Sequence, residues 1–473
     1  MEIIHVSAEC YPYAKAGGLA DVVGTLPKYQ QQIGHFAKVV VPMHRTKFLY
    51  DNEWTVEHKG GINMGHMHFE YTIIKEKTNK LNFDLYCVDI YGLLDRENIY
   101  SYDDDTERFT AFQIAVVDWI SQWEHKPDVV HVHDHHSALI PFMMKYCYAY
   151  SHLADVATVL TIHNGQYQGW MSWDKSAYIP AWDTWQWGLL DWSNTINPLA
   201  CGVKCADRVT TVSPSYMEEL TENANGLEQL FRTERAKCSG ILNGIDTVVW
   251  DPKTDTYILD NYSLADEETG KQLNKKKLCK DYKLDVKKPL FIYIGRLVGE
   301  KAADLLPQAI NDSLNQLGNK MNFLILGSGD PQVEDQLTAL QSSFTGYYNS
   351  KIGYNEKLAH QMYAGADFIL MPSRVEPCGL NQMYALRYGT IPIVRSTGGL
   401  KDTVIDFGEP NGYGIRFNHA SVWDITYSIH RAVELYDDKE KLTEIRKQIM
   451  QIDNSWETSC KKYINLYNAI RQI

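Results

Sequence analysis

Short apolar runs punctuate the chain at intervals that leave room for a helix after each. Residues 3–8, 129–132, 157–162 and 209–212 form such runs in the first half; 289–295, 323–327, 368–371 and 391–394 repeat the grammar in the second. Each gives way to a polar or Gly-rich turn and then to a helical pattern. Runs that are apolar throughout, without alternation, suit strands covered on both faces, and such strands alternating with helices build parallel sheets. The pattern therefore predicts an α/β protein of two doubly wound, Rossmann-like domains facing across a cleft. Open sheets of this kind bind ligands beyond the carboxyl ends of their strands, which places the expected site in that cleft. From Trp456 to Ile473 apolar residues recur near helical spacing, so a last helix is expected to pack its aromatic start on the first domain.

Length agrees with this division, because 473 residues are too many for one common core and two domains of roughly 200 residues or more are the default. The boundary falls near Asn243-Gly-Ile-Asp246, giving domains 1–245 and 246–454, with helix 455–473 returning to the first. Beyond it, residues 251–288 are charged and poor in apolar side chains, and the run Lys275-Lys-Lys277 reads as a solvated helix face. The 46 basic and 59 acidic residues leave a net charge of -13, a field that repels nucleic acid and anionic membranes. The nine cysteines are scattered without zinc-site spacing, no basic and apolar leader opens the chain, and no run of 18 apolar residues occurs. These features describe a cytoplasmic protein with reduced thiols and no nucleic-acid or membrane partner.

Candidate chemistry concentrates in Arg374-Val-Glu-Pro-Cys-Gly-Leu-Asn-Gln382, where Glu376 precedes a Gly-containing turn that opens into an apolar helix pattern. A helix start favours an anion, so an acid beside it calls for a neutral hydroxyl-bearing group between acid and anion. A sugar bound to a diphosphate meets that requirement; a loop acid before an ordinary buried helix would look similar. Lys15-Ala-Gly-Gly-Leu-Ala-Asp21 follows the first run and offers Gly17 and Gly18 for close backbone approach to phosphate, with Lys15 as a point charge. A purely structural Gly-Gly turn is the alternative. Arg296 ends the run 289–295 and Lys301 stands at the next helix start, so both could converge on a diphosphate or simply flank a core strand.

His131-Val-His-Asp-His-His136 invites a metal reading, yet no partner ligands stand at known spacing, and Asp134 is better read as a carboxylate for hydroxyls at a strand end. His163 ends the following strand, either donating to a sugar oxygen or held as a neutral ring. Six of the twelve tryptophans, at 170, 173, 182, 185, 187 and 192, lie among Asp and Gln, a mixture that suits stacking on sugar rings as well as core packing.

In order along nearly the whole chain, these motifs resemble the glycogen and starch synthases of the bacterial and plant type, glucosyltransferases of the GT-B fold. The matching segments are Lys15–Asp21, His133-Asp134, Thr161-Ile-His-Asn164, Thr211-Val-Ser-Pro214, Leu242-Asn-Gly-Ile-Asp246, Gly295-Arg-Leu297 with Lys301, and the Glu376 segment. The resemblance implies transfer of glucose from a nucleotide sugar, usually ADP-glucose, to the non-reducing 4-hydroxyl of an α-1,4-glucan with retained configuration, without metal or organic cofactor. Domain 1–245 would then serve the acceptor and 246–454 the donor. It further implies that Lys15, Gly17 and Gly18 contact the donor phosphates or sugar, Arg296 and Lys301 stabilise the leaving diphosphate, and Glu376 holds glucose hydroxyls. His163 would lie near the reacting centre, Tyr354 near the base, and Cys378, Gly379, Leu380 and Asn381 against the donor. Asp134, Asn164, Asn243 and Tyr100 would line the acceptor side.

Departures from the family pattern are His135, where an aromatic is common, a short segment 93–100, Asn381 for threonine, Ser396 for arginine, and Ala302 where a glycine generally follows the lysine. Two other readings fit the same motifs: a related transferase using UDP-glucose or a small acceptor, and a glucan-binding regulatory protein without catalysis.

Overall fold

The computed structural model describes residues 1–471 and divides into two compact units. One comprises Met1–Leu242 together with the terminal stretch that begins at Trp456; the other is Asn243–Ser455.

The first unit is built on nine strands in the order Cys238–Gly240, Arg208–Thr211, Ala157–Ile162, Val129–His133, Glu2–Val6, Phe36–Pro42, Asp84–Asp89, Met67–Glu76, Trp54–Met64. The first seven are parallel, and the last two form an antiparallel hairpin at the edge. The sheet is therefore mixed: its parallel part is the one the apolar runs predict, and the hairpin is added to it. The hairpin strands alternate: Ile62, Met64, Tyr71 and Ile73 are buried while Lys59 and Glu70 face solvent. A one-sided strand of that kind does not register as a continuous apolar run. Its buried face meets helix Asp105–Ser121, where the Tyr71 hydroxyl donates to Asp118 at 2.6 Å.

Helix Trp456–Arg471 lies on this unit; residues 472 and 473 of the expected helix are outside the described residues. Trp456, Cys460, Tyr463, Ile464 and Tyr467 are spaced as one helical face and bury against Ile3, Val22, Leu26, Val129 and Val159.

Six parallel strands form the second sheet, in the order Tyr348–Ile352, Asn322–Gly327, Leu290–Ile294, Phe368–Met371, Ile391–Arg395, Ile415–Phe417. Counted along the chain this is 3-2-1-4-5-6, the doubly wound arrangement, and the parallel strands of the first sheet repeat it. Strand order reverses between Glu2–Val6 and Val129–His133 in one unit and between Leu290–Ile294 and Phe368–Met371 in the other.

Helix Glu267–Tyr282 carries the lysine run, and Lys275 is not solvated: 2% exposed, it meets Asp367 at 2.7 Å. Helical spacing places Lys271, Lys275 and Leu278 on the buried face, leaving Lys276 and Lys277 outside. Buried Asp367 also accepts from Arg446 and from the backbone N–H of Leu290, so two cations compensate a carboxylate set at the foot of the central strands. Lys271 donates to the carbonyls of Tyr363, Ala364 and Tyr388 and to the Thr390 hydroxyl, closing two helix C-termini. Among the described residues no helix is long and apolar enough to cross a membrane.

Candidate functional site

At the switch point of the second unit, Glu376 and Lys301 reach each other from two neighbouring strand ends. Lys301 Nζ lies 2.6 Å from Glu376 Oε2, and the Ser373 hydroxyl donates to the same oxygen at 2.8 Å. Glu376 is buried and the Lys301 side chain keeps about a fifth of its surface. An oxygen that takes a cation and a hydroxyl donor is held in one orientation, leaving Oε1 for other donors.

Local backbone sets this up. Arg374 clasps Asp304 through two hydrogen bonds of 2.6 and 2.9 Å and donates to the Gly299 carbonyl, while the backbone N–H groups of Arg374 and Val375 donate to Glu300. The loop bearing Lys301 is thereby fastened to the segment bearing Glu376. Gly379 has φ of 76°, and helix Asn381–Arg387 begins two residues on. Gly398 has φ of 46°, and a Cβ there would sit 2.0 Å from the Glu376 carbonyl; one on Gly399 would sit 2.1 Å from that of Cys378. Glycine at these two positions lets the next helix start press directly on the Glu376 backbone.

The other expected donor residues fall around this pair with different commitments. Arg296 is largely exposed, and its guanidinium lies 3.4 Å from Glu300. Tyr354 stands exposed just beyond strand Tyr348–Ile352. Burial pushes the Cys378 thiol up to about 12, which removes it as a nucleophile. Asn381 donates its side-chain amide to the Ile294 carbonyl at 2.7 Å, so the amide ties helix to strand. Asn243, expected on the acceptor side, is the first residue of this second unit; its Oδ1 is buried and makes no hydrogen bond among the described residues.

In the first unit, Lys15 meets Asp21 of its own motif at 2.7 Å and remains half exposed. Gly17 precedes helix Gly18–Gln32, and a Cβ on either Gly17 or Gly18 would meet nothing within 4 Å. Neither packing nor a positive φ requires glycine there, and Gly17 stands as the N-cap of the helix, a position that glycine suits. Glu9 holds the loop in place: its Oε2 accepts from the N–H groups of Ala16 and Gly17, and its Oε1 accepts from the Tyr100 hydroxyl at 2.6 Å. Tyr100 thus spends its polar atom inside the protein and stacks on His136 at 4.9 Å.

Asp134 follows strand Val129–His133 with φ of 56° and ψ of −175°, a conformation normally left to glycine and a reservoir of strain typical of ligand clamps. Its Oδ1 accepts from the backbone N–H of His163 at 2.7 Å and, at 3.4 Å, from that of Asn164. Burial, only partly offset by those bonds, raises its carboxyl to about 7. Asn164 itself accepts from Gln166, closing the turn. His135 presses on Gly169, where a Cβ would lie 2.5 Å from its ring, and burial lowers it to about 4. The short segment 93–100 is stapled by fully buried Arg108, which donates to the carbonyls of Leu93 and Ile99.

None of the six clustered tryptophans is buried. Trp170, Trp185 and Trp187 are exposed, whereas Trp182 packs edge-on against Phe142 and Trp173 donates to Asp191. Sequence reasoning missed Glu9, Ser373, Arg108 and the Arg374–Asp304 clasp. Glu9 carried one signal, an acid immediately beyond the first strand; the clasp joins residues 70 apart and left none.

Two doubly wound units, one with a cation and a carboxylate paired at its switch point, are the architecture of GT-B glycosyltransferases. The family model for the starch synthase catalytic domain matches residues 2–233, and that for glycosyl transferases group 1 matches residues 274–448. The chain belongs to the glycogen synthase family and is a glucosyltransferase of glycogen and starch synthesis. It is 56% identical to a glycogen synthase of Flavobacterium johnsoniae, over all of both chains, and 36% identical to one of Streptococcus pneumoniae, over 99% of this chain and 100% of that one. Among solved structures, the catalytic domain of starch synthase IV from Arabidopsis thaliana, bound to ADP and acarbose, superposes with a TM-score of 0.88 at 30% identity, covering 100% of this chain and 99% of that one. A sucrose-phosphate synthase from Thermosynechococcus elongatus shares the fold, with a TM-score of 0.62 at 17% identity over 99% of each chain.

Proposed function

We propose that this enzyme takes ADP-glucose as donor and extends the non-reducing 4-hydroxyl of an α-1,4-glucan with retained configuration. The observation that carries the reading is the 2.6 Å approach of Lys301 to Glu376. A carboxylate that suits sugar hydroxyls and a cation that suits phosphate, so close together, are best served by one ligand bearing both groups. In this reading Glu376 accepts from glucose hydroxyls, Lys301 and Arg296 neutralise the charge that grows on the diphosphate as its bond to C1 breaks, and Tyr354 stacks on the base. Charge stabilisation of that kind is commonly worth a few kcal/mol per donor. In the first unit the Lys15–Gly18 loop serves the donor phosphates, Asp134 and Asn164 the acceptor hydroxyls, and His163 the donor glucose. Adenine as the base is supported by the ADP bound to the Arabidopsis starch synthase. Nine buried free thiols suit a reducing compartment, so we place the enzyme in the cytoplasm.

The test is a donor panel of ADP-, UDP- and GDP-glucose with glycogen, maltose or glucose as acceptor, following nucleoside diphosphate release. The account expects ADP-glucose with glycogen to give the highest kcat/KM. Preference for UDP-glucose or for a monosaccharide would replace the donor or acceptor assignment. Glycogen binding without diphosphate release from any donor would make the chain a glucan-binding protein.

A further inference from the structure

Beneath the carboxyl ends of the first unit's central strands, three imidazoles and a glutamine form a continuous hydrogen-bonded chain. Gln30 Oε1 lies 2.8 Å from His5 Nε2, His5 Nδ1 lies 3.0 Å from His133 Nε2, and His133 Nδ1 lies 3.0 Å from His163 Nε2. At its far end the Gln30 amide donates to the Tyr467 hydroxyl at 3.2 Å, and that hydroxyl lies 2.6 Å from His131 Nδ1. His131 Nε2 then reaches Thr161 Oγ1 at 2.6 Å.

With the Gln30 oxygen facing His5 and its amide nitrogen facing Tyr467, the other proton positions follow. A carbonyl oxygen only accepts, so His5 carries its proton on Nε2 and accepts at Nδ1. His133 must then donate from Nε2 and accept at Nδ1, and His163 must do the same. The second arm agrees: the Tyr467 hydroxyl accepts from Gln30, donates to His131 Nδ1, and leaves His131 to donate from Nε2 to Thr161. Burial holds His5 at about 4 and His163 at about 3, and pushes His131 and His133 well below the ordinary range. All four rings are neutral near pH 7, and tautomer is the variable that remains. His163 Nδ1 makes no hydrogen bond among the described residues, and the residue keeps 9% of its surface. His5, His131 and His133 bring ligand atoms within 4.8 Å of one another, but those nitrogens are occupied by this network.

We propose that Gln30, held by the Tyr467 hydroxyl, is a positioning residue that fixes the tautomer of His163 through His5 and His133, so that His163 presents Nδ1 as a hydrogen-bond acceptor to a hydroxyl of the donor glucose. The choice of ligand rests on the function proposed above; the proton positions do not. Turning the Gln30 amide over would reverse every bond in both arms and make His163 Nδ1 a donor. The last helix thereby joins the network through the Tyr467 hydroxyl, which accepts from the Gln30 amide and stands four residues away from His163 along the chain of bonds.

Two measurements on the full-length enzyme test this. Neutron diffraction should find protons on Nε2 of His5, His133 and His163; protons on Nδ1 of those rings would overturn the proposal. Gln30→Glu keeps the acceptor facing His5 but buries an acid, whereas Gln30→Met keeps an apolar core but loses the acceptor. The expected result is that Gln30→Met lowers kcat about tenfold, the worth of one hydrogen bond, at a melting temperature above that of Gln30→Glu. Gln30→Glu should retain turnover nearer that of the parent despite its lower melting temperature. Turnover that simply follows melting temperature in both variants would mean a structural role and contradict the proposal. Parental turnover in His163→Ala would remove His163 from the donor sugar, while the neutron result would still decide the tautomer.

Discussion

Lys301 and Glu376 sit 75 residues apart in sequence and 2.6 Å apart in space, each just beyond a different strand of one parallel sheet. Strand order, not local sequence, brings them together, because the strands before them are neighbours at the point where the order reverses. In the proposed roles, removing either side chain takes away a contact to the sugar or to the departing phosphate. Glu376→Ala and Lys301→Ala are each expected to lower kcat by at least about 10²-fold. Steady-state diphosphate release, with circular dichroism to establish folding, measures this; near-parental turnover in either variant would reject its assigned role.

Ala302, directly after the lysine, has φ of 52° and ψ of 32°, the left-handed conformation in which a Cβ is crowded. Glycine is free of that cost of about 1–2 kcal/mol, while its extra entropy in the unfolded chain takes back part of the gain. Ala302→Gly is expected to stabilise the protein by about 0.5–1 kcal/mol in denaturant unfolding. A loss of stability would show that packing around the buried methyl outweighs the strain.

Asp134 titrates at about 7 in the folded protein against 3.8 when free. A raised carboxyl contributes stability that is fully present below about pH 4 and is lost as pH rises through about 7. Ionisation suits its acceptance from backbone N–H groups and the role toward sugar hydroxyls proposed above, so kcat/KM should fall on the acid side with an apparent pKa near 7. Asp134→Asn should abolish that limb and become more stable relative to the parent between about pH 4 and 7. An unchanged pH–rate profile would exclude Asp134 as its source.

The tryptophan cluster separates by exposure. Trp185 is 89% exposed, so Trp185→Ala should leave thermal stability within about 0.5 kcal/mol while raising KM for glycogen several-fold. Trp182→Ala, which strips the edge contact to Phe142, should instead lower stability by about 1–3 kcal/mol. The reverse ranking would assign the cluster to packing.

Much of the fold was legible because buried parallel strands announce themselves as unbroken apolar runs, as at 129–132 and 368–371. The hairpin from Trp54 to Glu76 escaped because one face is wet and its apolar residues alternate. Lys275 was misread because a charge is visible in sequence and its buried partner Asp367, 92 residues on, is not. At the site, the residues proposed to meet ligand stood out in Gly-rich motifs, whereas Glu9 and Arg374, which hold them, act through backbone and long-range contacts, and Ser373 through a hydroxyl that nothing in its neighbourhood marks. The imidazole chain lay half in view: His131, His133 and His163 were conspicuous, but Gln30 and Tyr467 acquire meaning only once helix Trp456–Arg471 packs on the first unit.

The central claim is that Glu376 and Lys301 divide one nucleotide sugar between them, and calorimetric titration of ADP and of ADP-glucose tests it most directly. Glu376→Gln should weaken ADP-glucose by at least about tenfold and leave ADP unchanged, whereas Lys301→Met should weaken both. Equal loss of both ligands in Glu376→Gln, or loss of neither in Lys301→Met, would contradict the account.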